Sequence, residues 1–176
     1  VEFATDFVIT VIEKALSDLE LDWYLMGAED MAYKTASIIS PEMVRRYLSG
    51  SYRRISDFVR QHGVKHVIVD SDGHVGELIP VWLESGITGT MPLEVAAGMN
   101  PVSVHKRYPR LAMIGGIDKR VLCRGPQAIE AEVMSKVPYL KETGGYIPAL
   151  DHIIPPDVPL AGFKCYVETI RRVAEG

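Results

Sequence analysis

The sequence predicts an α/β protein of about five strand-then-helix units, the C-terminal portion of a TIM-type (βα)8 barrel. Three observations lead there. Short aliphatic runs alternate with amphipathic stretches along the 176 residues, which calls for parallel strands joined by right-handed crossovers. Residues 64–69 (VKHVIV) are too apolar for an exposed strand and too short for a buried helix, so they read as a central strand covered on both faces. A closed barrel needs about 250 residues; five units are too few. The expectation is one domain, residues 1–176, cut inside its third unit, with the N-terminal part of the barrel absent. An open doubly wound sheet is the alternative, but it would carry a glycine-rich phosphate loop after its first strand, where this chain has GAEDMAYK.

The elements follow in order. Phe3, Phe7, Val8, Val11, Ile12, Ala15, Leu16 and Leu19 recur at helical spacing, so residues 1–19 predict an orphan helix before the first strand. Residues 21–26 (LDWYLM) predict that strand, and Glu29 and Asp30 follow it. Ser40, Pro41 and Glu42 form a helix start, with a capping hydroxyl, proline in the first turn and an acid beside it. Val44, Leu48, Tyr52, Ile55 and Val59 mark the buried face of one helix that Gly63 closes. After the central strand and Asp70, Ser71, Asp72, Gly73 and His74, a helix is expected over 75–85 with Leu78, Ile79, Trp82 and Leu83 inward. The next strand, 87–93, leads to Glu94. A short helix follows Pro101, then an apolar strand over 111–114 runs into Gly115, Gly116, Ile117, Asp118 and Lys119. A helix from Pro126 to about Lys141 buries Ile129, Val133, Val137 and Leu140, with Pro138 bending its last turn. Residues 146–150 form the last strand, ending at Asp151 and His152, and the final helix carries Phe163, Tyr166, Val167, Ile170 and Val173 on one side.

Composition narrows the function classes. The chain is 47% hydrophobic and 24% charged, with a net charge of -4, as in an ordinary soluble globular protein. It has no basic block of the kind that binds nucleic acid. No apolar run approaches the roughly 20 residues that cross a bilayer, and no signal-peptide layout opens the chain. Cytoplasm is the expected compartment, and Cys123 and Cys165, which form no CxxC pair, are expected to be buried small hydrophobes. His62, His66 and His105 are expected at the surface or as caps.

The chemistry gathers at strand ends. Glu29 with Asp30, Asp70 with Asp72, Glu94, Asp118, and Asp151 with His152 all follow the last apolar residue of a strand. One acid there is commonly a helix cap, but five repeats converge on one mouth in a barrel, where ligands bind. So many carboxylates cannot all stay ionised without counter-charge. Lys34, Lys119, His74, His152 or a metal ion could supply it. Tyr33 could donate to a substrate. Gly115 and Gly116 allow either close approach of a ligand or close strand-to-helix packing, and Gly144 with Gly145 read as a helix terminator.

The motifs EDMAYK (29–34), SPEM (40–43), DSDG (70–73), PLEVAAGM (92–99), GGIDKR (115–120) and GGYIPALDHIIPPDVP (144–159) together resemble the uroporphyrinogen decarboxylase family. That is a (βα)8 group which also includes cobalamin- and coenzyme M-dependent methyltransferases. The resemblance spans essentially the whole chain and implies strands four to eight of the barrel. It places the arginines that hold a porphyrinogen's carboxylates in the N-terminal half, outside this chain. The ending LDHIIPPDVP looks more like the methyltransferase branch, in which an HxC pair and a later cysteine hold zinc and activate a thiol. The matching positions are Asp70 and Asp72 for the pair and His152 for the last ligand, with Glu94 able to complete the set. Two oxygens and a nitrogen make a harder site, suited to zinc, manganese, iron or no metal.

The leading expectation is therefore an enzyme transferring a methyl group between a corrinoid protein or methylated substrate and an acceptor. Asp70, Asp72 and His152 would bind a metal or act as acid and base. Glu29, Asp30, Tyr33, Lys34 and Asp151 would bind substrate, and Asp118 with Lys119 would tune charge at the mouth. Porphyrinogen decarboxylation, with a positioned acid protonating a pyrrole intermediate, is the alternative enzyme reading. A third reading is a structural fragment without turnover that pairs through exposed edge strands with the missing half of the barrel or with another copy.

Overall fold

The computed structural model describes residues 1–175, and of Ala28 the backbone alone. Two compact units divide it, Val1–Met91 and Pro92–Gly176.

The first unit contains α1 (Glu2–Leu16), β1 (Trp23–Ala28), α2 (Pro41–Tyr47), α3 (Ser49–Gln61), β2 (His66–Asp70), α4 (Ile79–Glu84) and the start of β3 (Gly89–Leu93). β2 lies between β1 and β3 and runs parallel to both, with Leu25 opposite Ile68 and Ile68 opposite Gly89. Val67, Ile68 and Val69 are all buried, as a strand covered on both faces requires. The β1–β2 register slips between Met26 and Ala28, just before the acidic pair Glu29 and Asp30.

The helix expected over 41–62 is interrupted at Leu48. Its start follows the predicted rule: the Ser40 hydroxyl accepts from the Met43 N–H, and Pro41 opens the first turn. Val44, Tyr52, Ile55 and Val59 are buried on one face, with Leu48 half-buried. α4 is shorter than expected, because Pro80 has no N–H to bond backwards and is tolerated only in a first turn. Leu78, Ile79 and Trp82 are fully buried, each contributing about 1.5–3 kcal/mol of hydrophobic stabilisation, whereas Leu83 is exposed. On α1 the apolar stripe Phe3, Phe7 and Val11 is exposed, and Thr5 and Leu16 are the buried positions.

The second unit holds the end of β3, α5 (Pro101–Arg107), β4 (Ala112–Ile117), α6 (Pro126–Met134), α7 (Val137–Thr143), β5 (Tyr146–Leu150) and α8 (Leu160–Glu175). Short 3-10 turns follow β3 and β4. β4 and β5 pair in parallel, with Ile114 opposite Ile147. β4 runs on through both glycines, and packing explains why neither ends it. At Gly115 (φ +106°) a Cβ would stand 2.9 Å from the Leu93 nitrogen, and at Gly116 one would stand 2.8 Å from the Pro101 ring. The single helix expected over 126–141 is two, with Pro138 in the first turn of α7 rather than bending a last turn. Gly144, at φ +76°, closes α7 as predicted.

The core of this unit is Ile117, Val121, Leu122, Ile129, Val133, Val137 and Tyr166, with Phe163, Val167, Ile170 and Val173 of α8 packed on it. Burial pushes the Tyr166 phenol up to about 12. Cys123 is exposed and Cys165 only half-buried, which corrects the expectation of buried thiols. Cys123 lies in the turn after β4, where its sulfur reaches the Asp157 carbonyl at 3.7 Å. His62 and His66 are exposed as expected, but His105 is buried, its ring edge-on to Tyr139.

Candidate functional site

In the first unit the ends of β1 and β2 are bonded together. The Glu29 N–H donates to the Asp70 carbonyl at 2.7 Å, extending the β1–β2 contact beyond the strands. Asp30 Oδ1 accepts the Asp72 N–H at 3.2 Å. The His74 N–H donates to the Tyr33 carbonyl at 2.8 Å. Gly73 between them has φ +82°, and any Cβ there would stand 2.8 Å from the carbonyl carbon and oxygen of Ala32. Only glycine fits that crossing.

Glu29, Asp70, Asp72 and His74 are half-buried, while Asp30, Tyr33 and Lys34 are exposed. Tyr33 and Lys34 lie on a tight loop closed by the Tyr33 N–H to the Ala36 carbonyl and by a bridge between Ala32 and Ser37. The structure thus brings the two acidic strand ends together with the DSDG turn. Behind them Tyr52 of α3 donates its hydroxyl to Glu29 Oε2 at 2.7 Å. Burial, reinforced by that bond and the Glu29 charge, pushes the phenol far above its ordinary range, so it keeps its proton.

In the second unit one carboxylate organises three loops. Asp151 is wholly buried at the end of β5. Its Oδ2 accepts the Val95 N–H at 3.0 Å, just after β3. Its Oδ1 accepts the Lys119 N–H at 3.0 Å, just after β4, and lies 3.4 Å from the Lys119 ammonium. The neighbouring amides are held in the same way. Glu132 of α6 accepts the Asp118 N–H at 2.8 Å, and Asp118 accepts the Arg120 N–H at 2.9 Å. Three consecutive N–H groups are therefore capped by three different carboxylates.

The side chains repeat the pattern. Arg120 grips Asp118 with Nε at 2.8 Å and Nη2 at 2.7 Å. Burial alone would raise the Asp118 carboxyl, but the Arg120 hydrogen bond and charge outweigh it and hold it below the usual range. Lys136, almost entirely buried, donates to the Gly116 carbonyl at 2.8 Å and to Glu132. Glu94 is half-buried and caps the 3-10 turn after β3 without a side-chain bond to it. His152 is exposed, and its Nδ1 accepts the Ile153 N–H at 2.7 Å.

The four expected metal ligands fall in different units, Asp70 and Asp72 in the first and Glu94 and His152 in the second. Among the described residues no group of three or more His, Cys, Asp and Glu side chains is disposed to hold a metal ion. The donor set does not fit a zinc thiolate centre as it stands. No helix of the described residues is long and apolar enough to cross a membrane.

The model of the family described as uroporphyrinogen decarboxylase matches residues 2–173. The chain belongs to the uroporphyrinogen decarboxylase family. No curated protein matches it at a significant level. The family's TIM-type barrel is compatible with the parallel ladders of both units, and the family is enzymatic, its members being decarboxylases or related methyltransferases.

Sequence reasoning missed four residues at these strand ends. Tyr52 reads as a core position on its helix and gives no sign of its polar partner. Arg120 stands inside GGIDKR, but a cation two residues after an acid is commonplace. Glu132 and Lys136 do carry a signal, the i, i+4 spacing of a helical ion pair. Such pairs usually face solvent, and only the fold shows this one turned onto the β4 backbone.

Proposed function

We propose that the chain transfers a methyl group between a corrinoid or methylated substrate and an acceptor, at the carboxyl ends of its strands. The observation that supports this over porphyrinogen decarboxylation is that the cations at the end of β4 are engaged within the chain. Lys119 serves Asp151, Arg120 serves Asp118 and Lys136 serves Glu132. A polycarboxylate porphyrinogen needs uncommitted positive charge, which the resemblance places on arginines outside this chain, and within the chain the acidic edge of Glu29, Asp30, Asp70 and Asp72 repels it.

Methyl transfer has the opposite requirement. The acceptor's S–H or O–H must lose its proton as its lone pair forms the bond to the methyl carbon, while the donor keeps the pair of the bond that breaks. A carboxylate beside the acceptor takes that proton. Asp72 and Asp70 are assigned this role. Glu29, Asp30, Tyr33 and Lys34 position the substrate. No step is assigned to a metal, because no donor group of the required kind is assembled among the described residues.

The test follows the corrinoid spectrum when the purified protein carrying this domain is mixed with methylcobalamin and a thiol, beside a parallel assay for decarboxylated porphyrin. Demethylation that depends on the protein supports the proposal. Decarboxylation without methyl transfer replaces it with the alternative.

A further inference from the structure

The side chain of Glu29 is fixed from behind by a buried residue of another element. The phenol of Tyr52, 4% exposed, reaches from α3 and donates to Glu29 Oε2 at 2.7 Å. The Met31 sulfur lies 3.8 Å from the same hydroxyl. The Glu29 main chain is fixed as well, through its N–H on the Asp70 carbonyl at 2.7 Å. A phenol in the middle of a helix's apolar face must find an acceptor or lose the solvation of a polar group. In this fold the acceptor is the first acid after β1. Backbone and one carboxylate oxygen are both tied down, which restricts the orientation of the carboxyl group.

We propose that Tyr52 is a positioning residue for the reaction of this site: it occupies Oε2 of Glu29 and thereby presents Oε1 to the substrate. The inference rests on the proposed methyl transfer for the identity of the reaction, but not for the pairing itself. A carboxylate with one oxygen fixed and the other presented suits a substrate group that donates a hydrogen bond, such as an amide, a hydroxyl or a pyrrole N–H. Holding a group in place converts orientational entropy into rate, so the pair belongs to the catalytic step more than to substrate affinity. Tyr52→Phe should lower kcat about tenfold with KM little changed, and Glu29→Gln should lower it further.

Two measurements test this. In protein labelled at tyrosine, the Tyr52 hydroxyl proton, assigned by its loss in Tyr52→Phe, should appear as a slowly exchanging downfield resonance in the wild type and move upfield in Glu29→Gln. In turnover, Tyr52→Phe added to Glu29→Ala should cost nothing more, because the phenol acts only through the side chain that Glu29→Ala removes. An absent proton, or one unmoved by Glu29→Gln, overturns the pairing. A proton behaving as expected with fully additive kcat losses overturns the positioning role and leaves a structural bond. If the wild type transfers no methyl group at all, the reading of the reaction fails, and the hydroxyl proton alone decides whether Tyr52 fixes Glu29.

Discussion

Asp151 holds Lys119 twice, through the main-chain N–H at 3.0 Å and the ammonium at 3.4 Å. The same carboxylate reaches the Val95 N–H at 3.0 Å, so the turns after β3, β4 and β5 share one buried anion. Deleting it strands two amide donors and an ammonium. Asp151→Ala is predicted to cost about 3 kcal/mol or more in urea unfolding. Lys119→Met keeps both amide bonds and is predicted to cost about 1–2 kcal/mol. Equal losses in the two variants would mean that the ion pair, and not the amide caps, holds the turns.

Lys136→Met removes the donor to the Gly116 carbonyl and to Glu132 from an almost fully buried position. The loss is predicted at about 2–4 kcal/mol, since a half-buried carboxylate then lacks its cation. Adding Glu132→Gln should recover part of it, because the amide oxygen still accepts the Asp118 N–H while the stranded charge disappears. The double variant unfolding no later than the single one in urea would contradict this.

The Asp118 carboxyl is held below its ordinary value of 3.8 by Arg120, against the opposing effect of burial. A carboxyl depressed in the folded state stabilises the fold above its unfolded value, and that stability is lost as pH falls through the folded value. The wild type should therefore exceed Arg120→Leu in unfolding free energy by a constant margin from neutral pH to about pH 5, narrowing below pH 4. A margin that widens in acid would reverse the assigned sign.

Gly73→Ala is predicted to cost about 1–3 kcal/mol, with thermal unfolding as the readout, because the new Cβ would meet the Ala32 carbonyl at 2.8 Å. It should also displace Asp72 and His74, lowering turnover more than the stability loss alone explains.

Much of the fold was legible in the sequence because its signals are local. Ser40-Pro41-Glu42 starts a helix wherever it stands, Gly144 ends one, and residues 146–150 form the predicted strand to the residue. The misreadings came from positions where packing decides. The strand expected over 111–114 runs on to Ile117, because β3 and Pro101 pack where side chains on Gly115 and Gly116 would stand. Phe3 and Phe7 recur at helical spacing and do lie on α1, but periodicity does not say which face is covered, and both are exposed. At the site, the acids themselves were visible as the first residues after each strand. Their partners were not: whether Asp151 is a ligand or a cap for three loops depends on N–H groups 56 and 32 residues away. No spacing rule reaches that far.

The central claim is that the carboxylates after β1 and β2 act directly on the substrate. Its most direct test is the turnover of Asp72→Asn, an isosteric change whose backbone N–H can still donate to Asp30, in protein shown to be folded by its unfolding transition. The account predicts a loss of about 100-fold or more in kcat, the usual contribution of a positioned acid or base. Wild-type turnover by the folded Asp72→Asn protein would contradict it.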